Sequence, residues 1–339
     1  MWRSRLKRLG IRNAFTASVL LVTVMSASPG RATAQTSAPA TPAAEKVIID
    51  TDIGDDVDDV FALALALSDP HLQILGITTA WGDTDLRARL VERQLKQTGH
   101  ADIPVAAGPK TDPGTTFTQA AWAEAYPEPA KGWPPAIDFI LDQIRRNPGQ
   151  ITLISLAPLS NVGALLQKDP ATFRKLKRVV MMGGSIHQGY GDLGYLPNHG
   201  PDAEYNIKMD IPAAEALFAS SVPIEVMPLD STQLKLDEVL RGTLFAQKTP
   251  MTDALDALYR QWASYPNNVT PTLYDAMTVA VVMEPALCPV TPMRLHIDDA
   301  GFTRVEPGAP NARVCLHSNA DQFFHFYLPH VLGSAIPKQ

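Results

Sequence analysis

From residue 47 onward, apolar and polar positions follow two periods in turn. Short apolar runs bounded by Gly, Pro or Asp read as buried strands, and longer stretches with apolar residues three and four apart read as helices. Val47-Ile48-Ile49 is the first apolar run, and the Ala- and Leu-rich segment ending at Leu67 reads as the helix after it. Further strands are predicted at 72–79, 103–107, 151–156, 178–182 and 224–227, with helices at 85–98, 136–146, 161–167 and 212–220 between them. Residues 108–134 are rich in Gly, Pro, Trp and Tyr without a strong period, and read as a loop over a site. Strand–helix alternation implies an α/β fold. The expected form is an open, mostly parallel, doubly wound sheet with helices on both faces, in a single domain.

Between the first strand and first helix the chain reads Asp50-Thr51-Asp52-Ile53-Gly54-Asp55-Asp56-Val57-Asp58-Asp59. Six Asp within ten residues repel one another. A helix N-terminus favours acidic residues in its first turn, which accounts for one or two of them but not for two at the strand end. Ligands of open α/β sheets bind where strands end and helices begin. Hard oxygen ligands crowded there suit Ca²⁺ or Mg²⁺. Other strand ends present Trp81-Gly82-Asp83, Leu156 to Asn161, and Gly183-Gly184 followed by a loop with Asn198, Glu204 and Asn206. Tyr274-Asp275 opens a further apolar helix. Short carboxylates and carboxamides at several strand ends suit a polyhydroxylated ligand. No Ser-His-Asp arrangement or glycine-rich phosphate loop stands out.

Composition changes the picture at the N-terminus. Arg3, Arg5, Lys7, Arg8 and Arg12 precede an apolar stretch over 14–25, and Ala32-Thr33-Ala34 offers a small-x-small cleavage site. Residues 1–34 therefore read as a secretory signal peptide, too short in its apolar part to span a bilayer. Residues 35–45 read as a flexible linker and 46–339 as one folded domain. The expected location is periplasmic or secreted. Removing the signal peptide takes six basic and no acidic residues, so a formal net charge of −6 becomes −12. That balance argues against binding nucleic acid or an anionic membrane. Cys288 and Cys315 are the two cysteines. In an exported chain they permit one disulfide, drawn across neighbouring C-terminal strands, or stay as two inert buried thiols.

From about Val47 to the C-terminus the chain resembles the inosine-uridine-preferring nucleoside hydrolases, metal-dependent N-ribohydrolases. The most specific piece is Asp50-Thr51-Asp52-Ile53-Gly54 leading to Asp58-Asp59, similar to a D-x-D-P-G-x-D-D signature. Thr78 to Asp83, Leu159-Ser160-Asn161, Met182-Gly183-Gly184, Glu204-Tyr205-Asn206 and Tyr274-Asp275 follow in the family's order. The resemblance implies a Ca²⁺ held by Asp52, Asp59, the Leu156 carbonyl and Asp275, with a water and two ribose hydroxyls completing the shell. An Asp beside the metal would act as general base on that water. Alignment by the following helix makes it Asp58, the preferred choice, and alignment from Gly54 makes it Asp56, because two extra residues separate the glycine from the Asp pair. Asn198, Glu204 and Asn206 would grip the 5′ and 3′ hydroxyls, and Asp83 would face the ribose where the family usually has Asn. The implied reaction is hydrolysis of the N–C1′ bond through an oxocarbenium-like transition state. The family's dimers and tetramers make a homo-oligomer the expectation.

Two departures leave the base preference open. Tyr274 stands where many members carry a His thought to protonate the leaving base. Activation then falls to Tyr274, to another residue, or to stacking, with Trp81, Trp262, Tyr259 and Tyr265 as candidates. An insertion over 186–201 is expected to reshape the pocket. Two rival readings are an Asp-dependent phosphatase of the haloacid dehalogenase type and a non-catalytic periplasmic nucleoside- or sugar-binding protein. The first lacks the Thr or Val its motif wants at position 54.

Overall fold

The computed structural model describes residues 44–112, 114–193 and 197–333. The expected signal peptide and nearly all of the linker lie outside the described residues. An eight-stranded sheet is built from β1 (Glu45–Thr51), β2 (Leu72–Thr79), β3 (Val105–Ala107), β4 (Ile151–Ser155), β5 (Arg178–Met182), β6 (Ile224–Met227), β7 (Thr291–Met293) and β10 (Ala312–Val314). The order is β3-β2-β1-β4-β5-β6-β10-β7. Every pairing is parallel except β10 with β7 at the edge. A separate hairpin pairs β8 (Leu295–Ile297) with β9 (Thr303–Val305).

Both faces of the sheet are covered, which is why its strands read as unbroken apolar runs rather than alternating ones. In β1, Val47 and Ile49 enter one core while Ile48 enters the other. The first core also takes α1 (Asp58–Ser68), α2 (Thr84–Thr98) and the helices Pro250–Trp262, Ala276–Met283 and Ala320–Val331. The second takes Ala136–Arg146, Ser160–Lys168 and Ile211–Phe218. β1 runs two residues beyond the predicted apolar run at each end, β4 ends one residue short of its prediction, and the helices after them end within a residue of theirs. Among the described residues of 108–134 there is one short helix, Ala120–Glu124. Among the described residues, no helix is long and apolar enough to cross a membrane.

Strand order reverses between β1 and β4, and the crevice beyond their C-terminal ends is where such sheets bind ligands. The ladder runs one residue past β4, Leu156 N–H donating to the Asp50 carbonyl at 2.8 Å. Cys288 and Cys315 form a disulfide, with Cα atoms 5.7 Å apart. It is not drawn across two strands: Cys288 follows a 3₁₀ turn, Pro285–Leu287, and Cys315 follows β10. The bridge ties the end of the Ala276–Met283 segment to the sheet.

Candidate active site

The crevice holds a cavity of about 450 Å³, within the range of small-molecule sites. Its floor is the loop from Asp52 to Val57 and the first turn of α1. Gly54 turns the loop with φ +124°, a conformation open to glycine alone without strain. The Phe117 ring lies against it where a Cβ would stand. Thr51 Oγ1 donates to Asp59 Oδ1, and Ile53 N–H donates back to Thr51 Oγ1 at 3.2 Å. Asp275 precedes a helix in which Ala276 to Val282 are all buried. Its place is fixed from the other side by Leu273 N–H, which donates to the Leu234 carbonyl at 2.8 Å.

This packing brings Asp58, Asp59 and Asp275 together. One carboxylate oxygen of each lies within 4.8 Å of the others, and all three residues are buried. Asp52 and Leu156 line the same cavity. The electrostatics show what the cluster lacks. Burial, and then repulsion from Asp56, Asp59 and Asp52, raises Asp58 well above the ordinary carboxylate value. Burial, with Asp58, Asp59 and Asp52 behind it, does the same to Asp275. Asp52 is raised by burial and by Asp59. Burial pushes Asp59 up to about 7 even though Thr51 and Arg87 pull it down. Like charges this close cannot all ionise unaided. A divalent cation would remove the conflict, and an all-oxygen donor set of carboxylates and a carbonyl suits a hard one.

Asp56 also lines the cavity but stands outside the trio. Its Oδ1 accepts from Val57 N–H at 2.7 Å, and its charge faces Lys235. Glu204 is buried and serves as N-cap of the short helix Tyr205–Lys208. It accepts from Gly184, Asn206 and Ile207 N–H at 2.8, 2.9 and 3.3 Å. Burial still pushes it up to about 7. Asn206 Nδ2 donates to the Leu156 carbonyl at 2.8 Å and to the Met182 carbonyl at 3.2 Å. It thereby holds a carbonyl expected to face the cation, which keeps a second lone pair free. Tyr274, Trp262 and Tyr265 line the cavity too.

Four expected contacts are placed elsewhere. Asp83 is half exposed, caps α2 through Leu86 N–H at 3.3 Å and pairs with Lys110 at 2.8 Å. A carboxylate at a helix N-cap has its own reason to be there. Asn198 is exposed and does not line the cavity. Trp81 sits one layer back, its Nε1 donating to Tyr205 Oη at 3.1 Å. Tyr259, a stacking candidate, instead packs between Phe245 and Trp262, at 5.6 and 6.0 Å.

Pattern reading missed Arg87, which is fully buried. Its guanidinium donates to the Asp52 carbonyl, to the Ile53 carbonyl at 3.0 Å, to both Asp55 oxygens at 3.1 and 3.0 Å, and to the Trp81 carbonyl at 2.7 Å. The signal was an arginine sharing the buried face of α2 with Leu90, Val91 and Gln94. Substituting Arg87→Met strands Asp55 and three carbonyls, so a loss of about 3–5 kcal/mol is expected in urea unfolding. A loss under about 1 kcal/mol would mean the loop holds its shape without the clamp.

Residues 47–325 match the family model described as inosine-uridine preferring nucleoside hydrolase. An uncharacterised Schizosaccharomyces pombe protein is 37% identical over 201 residues, spanning 55% of this chain and 62% of that one, so the chain covers under two thirds of it. Uridine nucleosidase 1 of Arabidopsis thaliana is 30% identical over 261 residues, spanning 72% of this chain and 75% of that one. The solved structure of a plant nucleoside hydrolase superposes with a TM-score of 0.73 at 24% identity, covering 85% of this chain and 99% of that one. With the acidic loop at the sheet's switch point and this match over most of its length, the chain belongs to the inosine-uridine preferring nucleoside hydrolases, a family of hydrolases acting on N-glycosyl compounds.

Proposed function

We propose that the protein hydrolyses the N–C1′ bond of ribonucleosides to free base and ribose, with Asp58 as general base. The observation that carries this reading is the shared position of Asp58, Asp59 and Asp275 in a cavity of nucleoside size. Asp52, Asp59, Asp275 and the Leu156 carbonyl would hold the cation, and the all-oxygen set favours Ca²⁺. Bound there, it would lower the pKa of water and orient the ribose diol. The remaining steps belong to the chain's own residues. Asp58 takes the proton as the water oxygen bonds to C1′, and the N–C1′ pair leaves with the base. Buried carboxylates around the sugar offset the positive charge that develops on its ring. Glu204 and Asn206 bind the ribose hydroxyls. Uridine is the first substrate to try, given the Arabidopsis relative. Action outside the cytoplasm is supported by the Cys288–Cys315 disulfide, which persists in oxidising compartments.

Incubation with uridine, inosine, adenosine and cytidine plus Ca²⁺, followed by a reducing-sugar assay, tests the reading. Ribose release from at least one, abolished by chelator, is the expected result. Tight binding of all four without release would make the protein a binder and overturn the hydrolase.

A further inference from the structure

The insertion over 186–201 brings into the cavity a side chain that the proposed chemistry does not use. Its backbone is pinned at several N–H groups. Ile186 and His187 each donate to Asp230 at 2.8 Å, Tyr190 donates to Asp202 at 2.8 Å, and Gly191 donates to Gln233 at 2.8 Å. Gln233 Nε2 donates back to the Gly189 carbonyl at 3.1 Å. Asp230 and Gln233 belong to the short helix Leu229–Thr232 and its C-terminal end, so the body of the fold sets where Tyr190 sits. Its ring lines the cavity and stays 40% exposed. It meets Tyr274 edge-on, centroids 6.1 Å apart at 81°.

Tyr190 Oη accepts from Tyr205 N–H at 3.0 Å and donates to Glu204 Oε1 at 3.5 Å. The second contact is longer than the roughly 2.7–2.8 Å of an ordinary O–H···O bond. Phenol and carboxylate thus form a stretched donor–acceptor pair at the cavity wall. An alcohol satisfies both members at once, accepting from the phenol and donating to the carboxylate. In a ribonucleoside the 2′,3′-diol lies on one face of the sugar, and the base and the 5′-hydroxymethyl group lie together on the other. Asp58, Asp59, Asp275 and the Leu156 carbonyl held by Asn206 mark the diol end of the cavity. Tyr190 touches both Glu204 and Tyr274, and so stands where the hydroxymethyl group and the base come together. We propose that Tyr190 is a specificity-determining residue that, with Glu204, takes the 5′-hydroxyl between its phenol and the carboxylate. It does so in place of Asn198, which is exposed and does not line the cavity. The inference rests on the nucleoside hydrolase reading. The substrate class it names is nucleosides with a free 5′-hydroxyl, since a 5′-phosphate would bring like charge against Glu204.

The test crosses the two hydroxyls that the assignment brings together, using uridine and inosine and the 5′-deoxy analogue of each. Tyr190→Phe is expected to lower kcat/KM on the parent nucleosides about 5- to 20-fold, the worth of one hydrogen bond. On the 5′-deoxy analogues, which lack the partner, the same substitution should change kcat/KM less than about twofold. An analogue that turns over too slowly is compared through its Ki against the parent nucleoside. Equal losses on parent and analogue would reduce Tyr190 to a structural role and overturn the assignment. So would unchanged rates on both parents, or turnover of uridine 5′-phosphate by the wild-type protein as fast as uridine. Wild-type protein inactive toward every nucleoside would instead remove the hydrolase reading itself, and this inference with it.

Discussion

Asp58→Asn is expected to lower kcat about 10³–10⁴-fold, at the upper end of what a general base contributes. Asp56→Asn is expected to lower it no more than about tenfold, the size of a lost supporting charge rather than a lost base. The contrast follows from where α1 begins. Asp58 and Asp59 occupy its first turn and meet Asp275, whereas Asp56 turns back onto Val57 N–H and toward Lys235. Of the two residues the signature leaves open, only Asp58 shares a centre with the other carboxylates. Asn keeps the shape and one oxygen but cannot take up the proton. Asp52, Asp59 and Asp275 remain, so the variant should still gain thermal stability from Ca²⁺. The opposite ranking of the two variants would move the base to Asp56. Loss of the Ca²⁺-dependent stabilisation in Asp58→Asn would show that Asp58 is primarily a ligand.

The sequence made the scaffold and the acidic floor legible for the same reason. Strands buried on both faces are continuous apolar runs, and a cluster such as Asp50 to Asp59 has few structural excuses. Positions decided by long-range packing were less legible. Arg87 reaches the loop from a different helix, and only its place on an apolar face hinted at burial. Tyr190 lies in a segment with no period to read, yet it lines the cavity and meets Tyr274 edge-on. Asp83 shows the opposite failure. Carried over from a motif by position alone, it turned out to cap α2 and pair with Lys110. The capping role was visible in principle, since Asp followed by Thr-Asp and an apolar-periodic run is a helix start.

Removing the cation is expected to abolish turnover, to below about a thousandth, because in the proposed reaction it would both activate the water and anchor the ribose. Its effect on stability carries a distinctive pH dependence. In the metal-free protein Asp59 is pushed up to about 7, and Asp52, Asp58 and Asp275 are raised in the same direction. Glu204, also pushed up to about 7, adds to the trend. In the unfolded chain such groups titrate near 4. Between about pH 4 and 7 the folded state therefore holds protons that the unfolded state has lost. By linkage, stability contributed by the protonated cluster is fully present below the unfolded value and is lost as pH rises through the folded one. The cation reverses this by binding the ionised carboxylates and releasing their protons. At 100 to 1,000 times its Kd it would add about 3–4 kcal/mol, roughly 5–10 °C in Tm for a domain of this size. Thermal melts with Ca²⁺ and with chelator should separate more at pH 8 than at pH 5. Calorimetry in buffers of different ionisation enthalpy should register proton release at pH 6. A separation that shrinks as pH rises would mean that the acidic floor is ionised without a metal, and that something other than a cation balances Asp58, Asp59 and Asp275.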